Sequence, residues 1–143
     1  TNNYFMNNVV VFGTFALVHP GHESFLRQAK KLGDFLLVVI ARDKHVFRVK
    51  GRQPDSDEKK RQREIQRFGI SDKVILGSIT HNYFRTLRSY KIDLIALGYD
   101  QKPTIWDLKK DLRRHRLGHI RTVRLRSLQP HVYKSSKMRN SEK

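Results

Sequence analysis

Two histidines three residues apart, His19 and His22, stand in the run Gly13-Thr14-Phe15-Ala16-Leu17-Val18-His19-Pro20-Gly21-His22. A short apolar, β-branched stretch precedes the run and a segment of helical periodicity follows it, so the pair falls where a strand turns into a helix. A helix start offers unpaired backbone N–H groups and a partial positive charge. Two imidazole donors added there make an anion site, and an anion that gains charge during reaction is bound more tightly in its transition state. The run is not a P-loop, since no Gly-Lys-Ser/Thr follows at the required spacing, nor is it a three-glycine dinucleotide fingerprint. From the residues alone, half of a metal site and simple helix capping also stay open for the pair. Against the metal, the chain has no cysteine and no third ligand at a suggestive spacing.

Other polar residues stand just after predicted strands, where ligands bind in an open parallel sheet. Lys44 follows the second strand, Lys50 and Arg52 flank Gly51, and Gly98 and Asp100 follow the fourth. Each has a plain structural reading as well. Lys44 alone reads as a surface lysine, and Asp100 as a turn cap. Arg61 shares its segment with Lys59, Lys60, Arg63 and Arg67, so a solvated basic face suits it as well as a ligand contact. Ser135-Ser136 alone is a helix cap. Gly51 and Gly69 read as turn residues, and His45, His81, His115, His119 and His131 as surface or structural. Phe25, Tyr83 and Trp106 are expected in the core.

These groups need a frame. Val9 to Phe12 and Phe35 to Ala41 are continuous apolar runs, the pattern of strands buried on both faces. Gly21 to Leu32 is helical by its spacing of Phe25, Leu26, Ala29 and Leu32, and Gly33 stops it. Residues 42–56, polar, basic and broken by Gly51 and Pro54, are expected to form a loop. Asp57 caps a charged helix to Phe68. Lys73 to Leu76 is a short strand, His81 to Tyr90 a helix, and Ile92 to Leu97 a fourth strand. Thr104 to Arg116 is a helix with apolar positions at Trp106, Leu108 and Leu112. Ile120 to Leu125 alternates apolar and basic residues, as an edge strand does. Strands alternating with helices predict an α/β, Rossmann-like single domain over 1–143, with a parallel five-stranded sheet flanked by helices. A basic segment, 126–143, closes the chain.

At 143 residues with 38% hydrophobic and 30% charged residues, the chain is sized for one folded domain. No apolar run reaches the length of a membrane span. The polar, uncharged start lacks the pattern of a signal peptide, which predicts a cytoplasmic protein. Net charge is +17, and residues 109–143 hold 12 basic against 2 acidic residues. Such a balance speaks about partners rather than fold. Phosphorylated small molecules, nucleic acid and anionic surfaces all stay open.

Gly-Thr-Phe-x-x-x-His-Pro-Gly-His resembles the signature of the cytidylyltransferase-like nucleotidyltransferases. The likeness continues through Ala41-Arg42-Asp43-Lys44, Lys50-Gly51-Arg52-Gln53-Pro54, Arg61, Leu97-Gly98-Tyr99-Asp100-Gln101 and Tyr133-Lys134-Ser135-Ser136-Lys137-Met138. Within that superfamily the motifs are most similar to the archaeal-type FAD synthetase group, with glycerol-3-phosphate cytidylyltransferase next.

The resemblance implies transfer of a nucleoside monophosphate from a triphosphate to a phosphate monoester, with release of pyrophosphate. AMP passing from ATP to FMN is favoured over CTP with a small polyol phosphate. It implies His19, His22 and Lys44 as catalytic. Gly13, Thr14, Phe15, His19, His22, Gly98, Asp100, Ser135 and Ser136 would hold the nucleotide, and Lys44, Lys50, Arg52 and Arg61 the acceptor and phosphates. Mg²⁺ on the triphosphate and a homodimer are also implied, with no protein metal ligand and no membrane. One position departs from the family: Ala16 stands where aspartate is normal, and alanine can neither accept a hydrogen bond nor help hold a cation. Asp34 and Asp100 are other carboxylates in the chain, with nothing in the sequence to make either a substitute. The competing class is a catalytically weakened nucleotide- or nucleic-acid-binding protein using the basic C-terminal segment. No recognised nucleic-acid motif supports it.

Overall fold

The computed structural model describes residues 7–16, 20–78, 82–99, 101 and 104–126. Among the described residues, five strands and five helices occur in the order β1 (Asn8–Gly13), α1 (Pro20–Lys30), β2 (Phe35–Ile40), α2 (Asp43–Lys50), α3 (Glu58–Gln66), β3 (Lys73–Leu76), α4 (Tyr83–Ser89), β4 (Leu94–Leu97), α5 (Ile105–Arg114) and β5 (Arg121–Arg124). The strands form one sheet in the order β3-β2-β1-β4-β5, and every pairing is parallel. The predicted α/β architecture is therefore present, with β5 on the edge.

Side chains alternate across each strand and give the sheet two apolar faces. Val9, Val11, Leu36, Val38, Ile40, Leu94 and Ala96 point to the side covered by Leu26 and Ala29 of α1 and Ile65 of α3. Val10, Leu37, Val39, Ile95 and Leu97 point to the other, under Leu87 of α4 and Leu108 and Leu112 of α5. Both faces of β1 and β2 are buried, which is why their sequences are unbroken runs of Val, Leu and Ile. Helix starts follow the expected capping chemistry: Asp57 accepts from the Lys60 N–H at 2.8 Å, and Thr104 from the Asp107 N–H at 3.1 Å.

Two expectations are corrected. Residues 42–56 are not all loop, because α2 occupies Asp43–Lys50. This helix buries only Val46, and Phe47 and Val49 face outward at 49% and 68% exposure, so it has no apolar stripe to read. It ends as helices commonly do: Gly51 adopts φ 76° and donates its N–H to the Phe47 carbonyl. Beyond Gly51 the chain is irregular up to Asp57, as predicted. The second correction is Trp106, which is 70% exposed rather than core. Leu108 and Leu112 set the inward side of α5, and a residue two before Leu108 lies on nearly the opposite side. Among the described residues no helix is long and apolar enough to cross a membrane.

Candidate active site

The strand order reverses between β1 and β4, and the carboxyl ends of these strands border the crevice where open α/β sheets bind ligands. Gly13 ends β1 there, held to the next strand by the Ala41 N–H donating to its carbonyl at 2.9 Å. A Cβ on Gly13 would lie 2.6 Å from Phe15 Cε2, so only glycine lets the Phe15 ring lie over the turn. Phe15 has φ 53°, a left-handed conformation that costs a bulky residue about 1–2 kcal/mol. Burial offsets that cost: the ring is 6% exposed. It meets the His22 imidazole edge-to-face, with centroids 5.2 Å apart and planes at 73°, and it also packs on Phe25. The strained turn therefore places the Phe15 ring against His22 in the first turn of α1.

Arg61 fastens this turn from beneath. It is the one buried charged residue among those described, at 0% exposure. Its Nε donates to the Ser56 carbonyl at 2.9 Å, Nη1 to the Thr14 carbonyl at 2.7 Å and Nη2 to Asp43 Oδ1 at 2.6 Å. The solvated-face reading of Arg61 is thereby excluded. Asp43 and Glu58 in turn bind reciprocally: the Asp43 N–H donates to Glu58 Oε1 at 2.8 Å, and the Glu58 N–H to Asp43 Oδ2 at 3.2 Å. Arg42 adds Nη1 to Glu58 Oε2 at 3.1 Å and Nε to the Gly77 carbonyl at 2.8 Å. One polar network thus ties the turn after β1 to the starts of α2 and α3 and to the end of β3.

Gln101 spans the switch point. Its Nε2 donates to the Phe12 carbonyl at 2.7 Å, and its Oε1 accepts from the Gly98 N–H at 3.0 Å. Arg124 on β5 donates to the carbonyls of Gly98 at 2.8 Å and Gln101 at 2.7 Å. Gly98 is therefore held against the end of β1 by a side chain that crosses from the neighbouring loop.

The structure thus gathers Gly13, Thr14, Phe15, His22 and Gly98 at one end of the sheet, with Arg61 supporting them. Ala16, Lys50 and Arg52 line a common shallow cavity with Val46, Gln53, Pro54 and Asp55. Lys44 is exposed in the first turn of α2, with no side-chain bond to a described residue. Asp34 sits at the opposite end of the sheet from Ala16, accepting from the Asn7 N–H at 2.8 Å. His19, Asp100, Ser135 and Ser136 lie outside the described residues, as does the basic segment from residue 127 onward. Arg42, Asp43, Glu58, Gln101 and Arg124 are the supporting residues that sequence reading missed. Arg42, Asp43 and Gln101 stood within the quoted motifs, but nothing local showed which groups they would hold.

Tyr83, packed edge-on against Phe12, has its phenol pushed up to about 12 by burial and then by Asp111. It stays neutral near pH 7, so no phenolate is present there to act as a base. Among the described residues no group of three His, Cys, Asp or Glu lies together, so a divalent cation finds no ready protein cage in this part of the chain.

The model of the family Cytidylyltransferase-like matches residues 10–141. A FAD synthase of Archaeoglobus profundus is 43% identical over 131 residues, which cover 92% of this chain and 82% of that protein. One of Thermococcus sibiricus is 34% identical over 134 residues, covering 94% and 87%. Among solved structures, the lipopolysaccharide core biosynthesis protein of Thermoplasma volcanium superposes with a TM-score of 0.79 at 35% identity, over 87% of this chain and 99% of that one. A pantoate-beta-alanine ligase of Francisella tularensis reaches a TM-score of 0.64 at 14% identity, over 94% and 65% of the two chains, a likeness of fold alone.

Proposed function

The chain belongs to the cytidylyltransferase-like family, and we propose that within it the protein is an FMN adenylyltransferase, making FAD and pyrophosphate from FMN and ATP. The observation that carries this reading is the set of archaeal relatives named FAD synthase, 34–44% identical over most of the chain.

In the proposed reaction an oxygen of the FMN phosphate attacks the α-phosphorus of ATP. A new P–O bond forms, the α–β bridge breaks, and the electron pair leaves on pyrophosphate. The phosphate monoester is already an anion near neutral pH, so the protein's task is alignment and stabilisation of charge. His22 is assigned to the α- and β-phosphate oxygens, its ring held by Phe15, and His19 completes the pair. Gly13, Thr14 and Phe15 let the backbone approach the nucleotide. Gly98 and Asp100 border the base and ribose, and Ser135 and Ser136 hold the far phosphates.

Lys44 is the cation with a free head close to the network, suited to the acceptor phosphate or the triphosphate. Lys50 and Arg52, which share a cavity wall with Ala16, are assigned to the acceptor. Arg61 is assigned a positioning role instead: its guanidinium holds Thr14, and its contribution to phosphate binding passes through that turn. Mg²⁺ enters as the partner of the triphosphate, supplying positive charge to its oxygens. The missing carboxylate at Ala16 lowers the rate. A cytoplasmic homodimer belongs to the same reading.

The test is pyrophosphate release with ATP, FMN and Mg²⁺, with the flavin product identified by chromatography. FAD formed above background supports the proposal. Release with CTP and glycerol 3-phosphate, and none with ATP and FMN, replaces it with the cytidylyltransferase reading.

A further inference from the structure

The outward side of α5 sets an exposed tryptophan beside a run of basic residues. Leu108 and Leu112, 3% and 1% exposed, face the sheet. At about 100° per residue, the outward side carries Trp106, Lys110, Arg113 and Arg114, with Lys109 on one flank and Arg116 just beyond the helix end. All six are exposed. Asp111 stands on the other flank, and exposed Asp107 borders the face beside Arg114. Among the described residues, a single ion pair touches this face, Arg114 Nη1 to Asp111 Oδ1 at 3.8 Å. The other four cations have no side-chain bond to a described residue. Amid them Trp106, the chain's one tryptophan, is 70% exposed.

We propose that this face of α5 docks single-stranded nucleic acid, with a base stacked on Trp106 and the backbone phosphates on the flanking Lys and Arg side chains. A flat exposed aromatic beside an excess of cations, five against Asp107 and Asp111, is the combination that unpaired strands use, since every base has a π-face and every nucleotide a phosphate. The stripe runs about 15 Å along the helix, room for roughly four phosphates at the spacing of a stacked strand.

Two other occupants fit less well. A helix lying on a membrane sinks its apolar face into the bilayer, but the apolar face of α5 is already committed to the sheet. A second copy docking about a two-fold axis would set five cations against the same five.

The experiment follows Trp106 emission during titration with a short oligothymidylate, without flavin. The expected result is strong quenching, with a log-affinity against log-salt slope of about −3, at ~0.7 per phosphate engaged. Lys109→Glu combined with Arg113→Glu lies outside the proposed active site. It should lower the salt slope by about 1.4, from two lost phosphate contacts, and weaken binding at least tenfold, with the unfolding midpoint and pyrophosphate release unchanged. Emission that does not respond to oligothymidylate overturns the proposal, as does equal affinity for inorganic polyphosphate, which has no base to stack. A blue shift with phosphatidylserine vesicles and no response to oligothymidylate also overturns it, in favour of a membrane. Emission that is already blue-shifted and varies with protein concentration overturns it in favour of self-association.

Discussion

Arg61 separates a tie inside the fold from a direct phosphate contact. Its guanidinium is fully buried and makes three hydrogen bonds, to Ser56, Thr14 and Asp43. Hydrogen bonds from a charged donor are worth about 1.5–3 kcal/mol each. Arg61→Met removes all three, yet the Asp43 side chain is 29% exposed, so water repairs part of the loss. The expected net cost is about 3 kcal/mol, a fall of roughly 10 °C in the unfolding midpoint for a domain of this size. Arg61→Lys keeps a cation near Asp43, but one ammonium lacks the planar fork that reaches Thr14 and Ser56 together. It should cost about 1–2 kcal/mol and still slow turnover, because Thr14 and the strained Phe15 beyond it lose their anchor. The assays are thermal unfolding and steady-state pyrophosphate release with ATP varied. A positioning role lowers kcat in both variants, along with stability. If Arg61→Lys leaves the unfolding midpoint unchanged and raises only the KM for ATP, Arg61 is a phosphate contact and the reasoning fails.

Ala16→Asp sets a carboxylate on the wall shared with Lys50 and Arg52 and should raise the rate of pyrophosphate release about tenfold or more, about 1.4 kcal/mol off the barrier; a slower enzyme refutes it. Gly13→Ala pushes a methyl into Phe15, 2.6 Å away at the nearest atom. It should cost about 1–3 kcal/mol by overpacking and reduce turnover by displacing the ring against His22, measured by denaturant unfolding beside the activity assay. Tyr83 is protonated more tightly in the folded state, pushed up from 10.0 to about 12. Its contribution to stability is therefore complete below pH 10 and lost as pH rises towards 12; Tyr83→Phe should flatten that alkaline loss in a pH series of unfolding curves. Asp72 runs the other way. Burial alone would raise its carboxyl, but the bonds from Lys30 and the Leu36 N–H hold it below its usual 3.8. Its contribution is present above pH 3.8 and lost as pH falls through the lowered value, and Asp72→Asn should remove that acid dependence.

Much of the frame could be read because its causes are local. β1 and β2 lie at the centre of a parallel sheet, so burial on both faces wrote continuous apolar runs into Val9–Val11 and Leu36–Ile40. α3 was legible through Asp57, whose capping bond closes three residues away. α2 was not, because almost nothing local makes it a helix. One side chain, Val46, is buried, and the start of the helix is held by Glu58, fifteen residues later. Trp106 departs from the expectation that an aromatic residue in an amphipathic segment faces inward. The spacing of Leu108 and Leu112 already fixed the opposite side.

The same distinction governs the site. Gly13, Phe15 and His22 lie within ten residues, and the turn that joins them is a local event, so the motif carried its geometry. Arg61 meets Thr14 across 47 residues and Asp43 across 18. In the sequence it is one arginine among five neighbouring cations, and only the packing of α3 under the end of β1 sets it apart. Lys44 and Arg61 look alike in the sequence as basic residues suited to phosphate, yet one points to solvent and the other is fully enclosed. A cation that keeps its head free can meet a substrate phosphate. One whose donors are taken by two carbonyls and a carboxylate can act on the substrate only through the backbone it holds. Charge along a chain therefore nominates candidates, and burial decides which of them touch the ligand and which hold the loop that does.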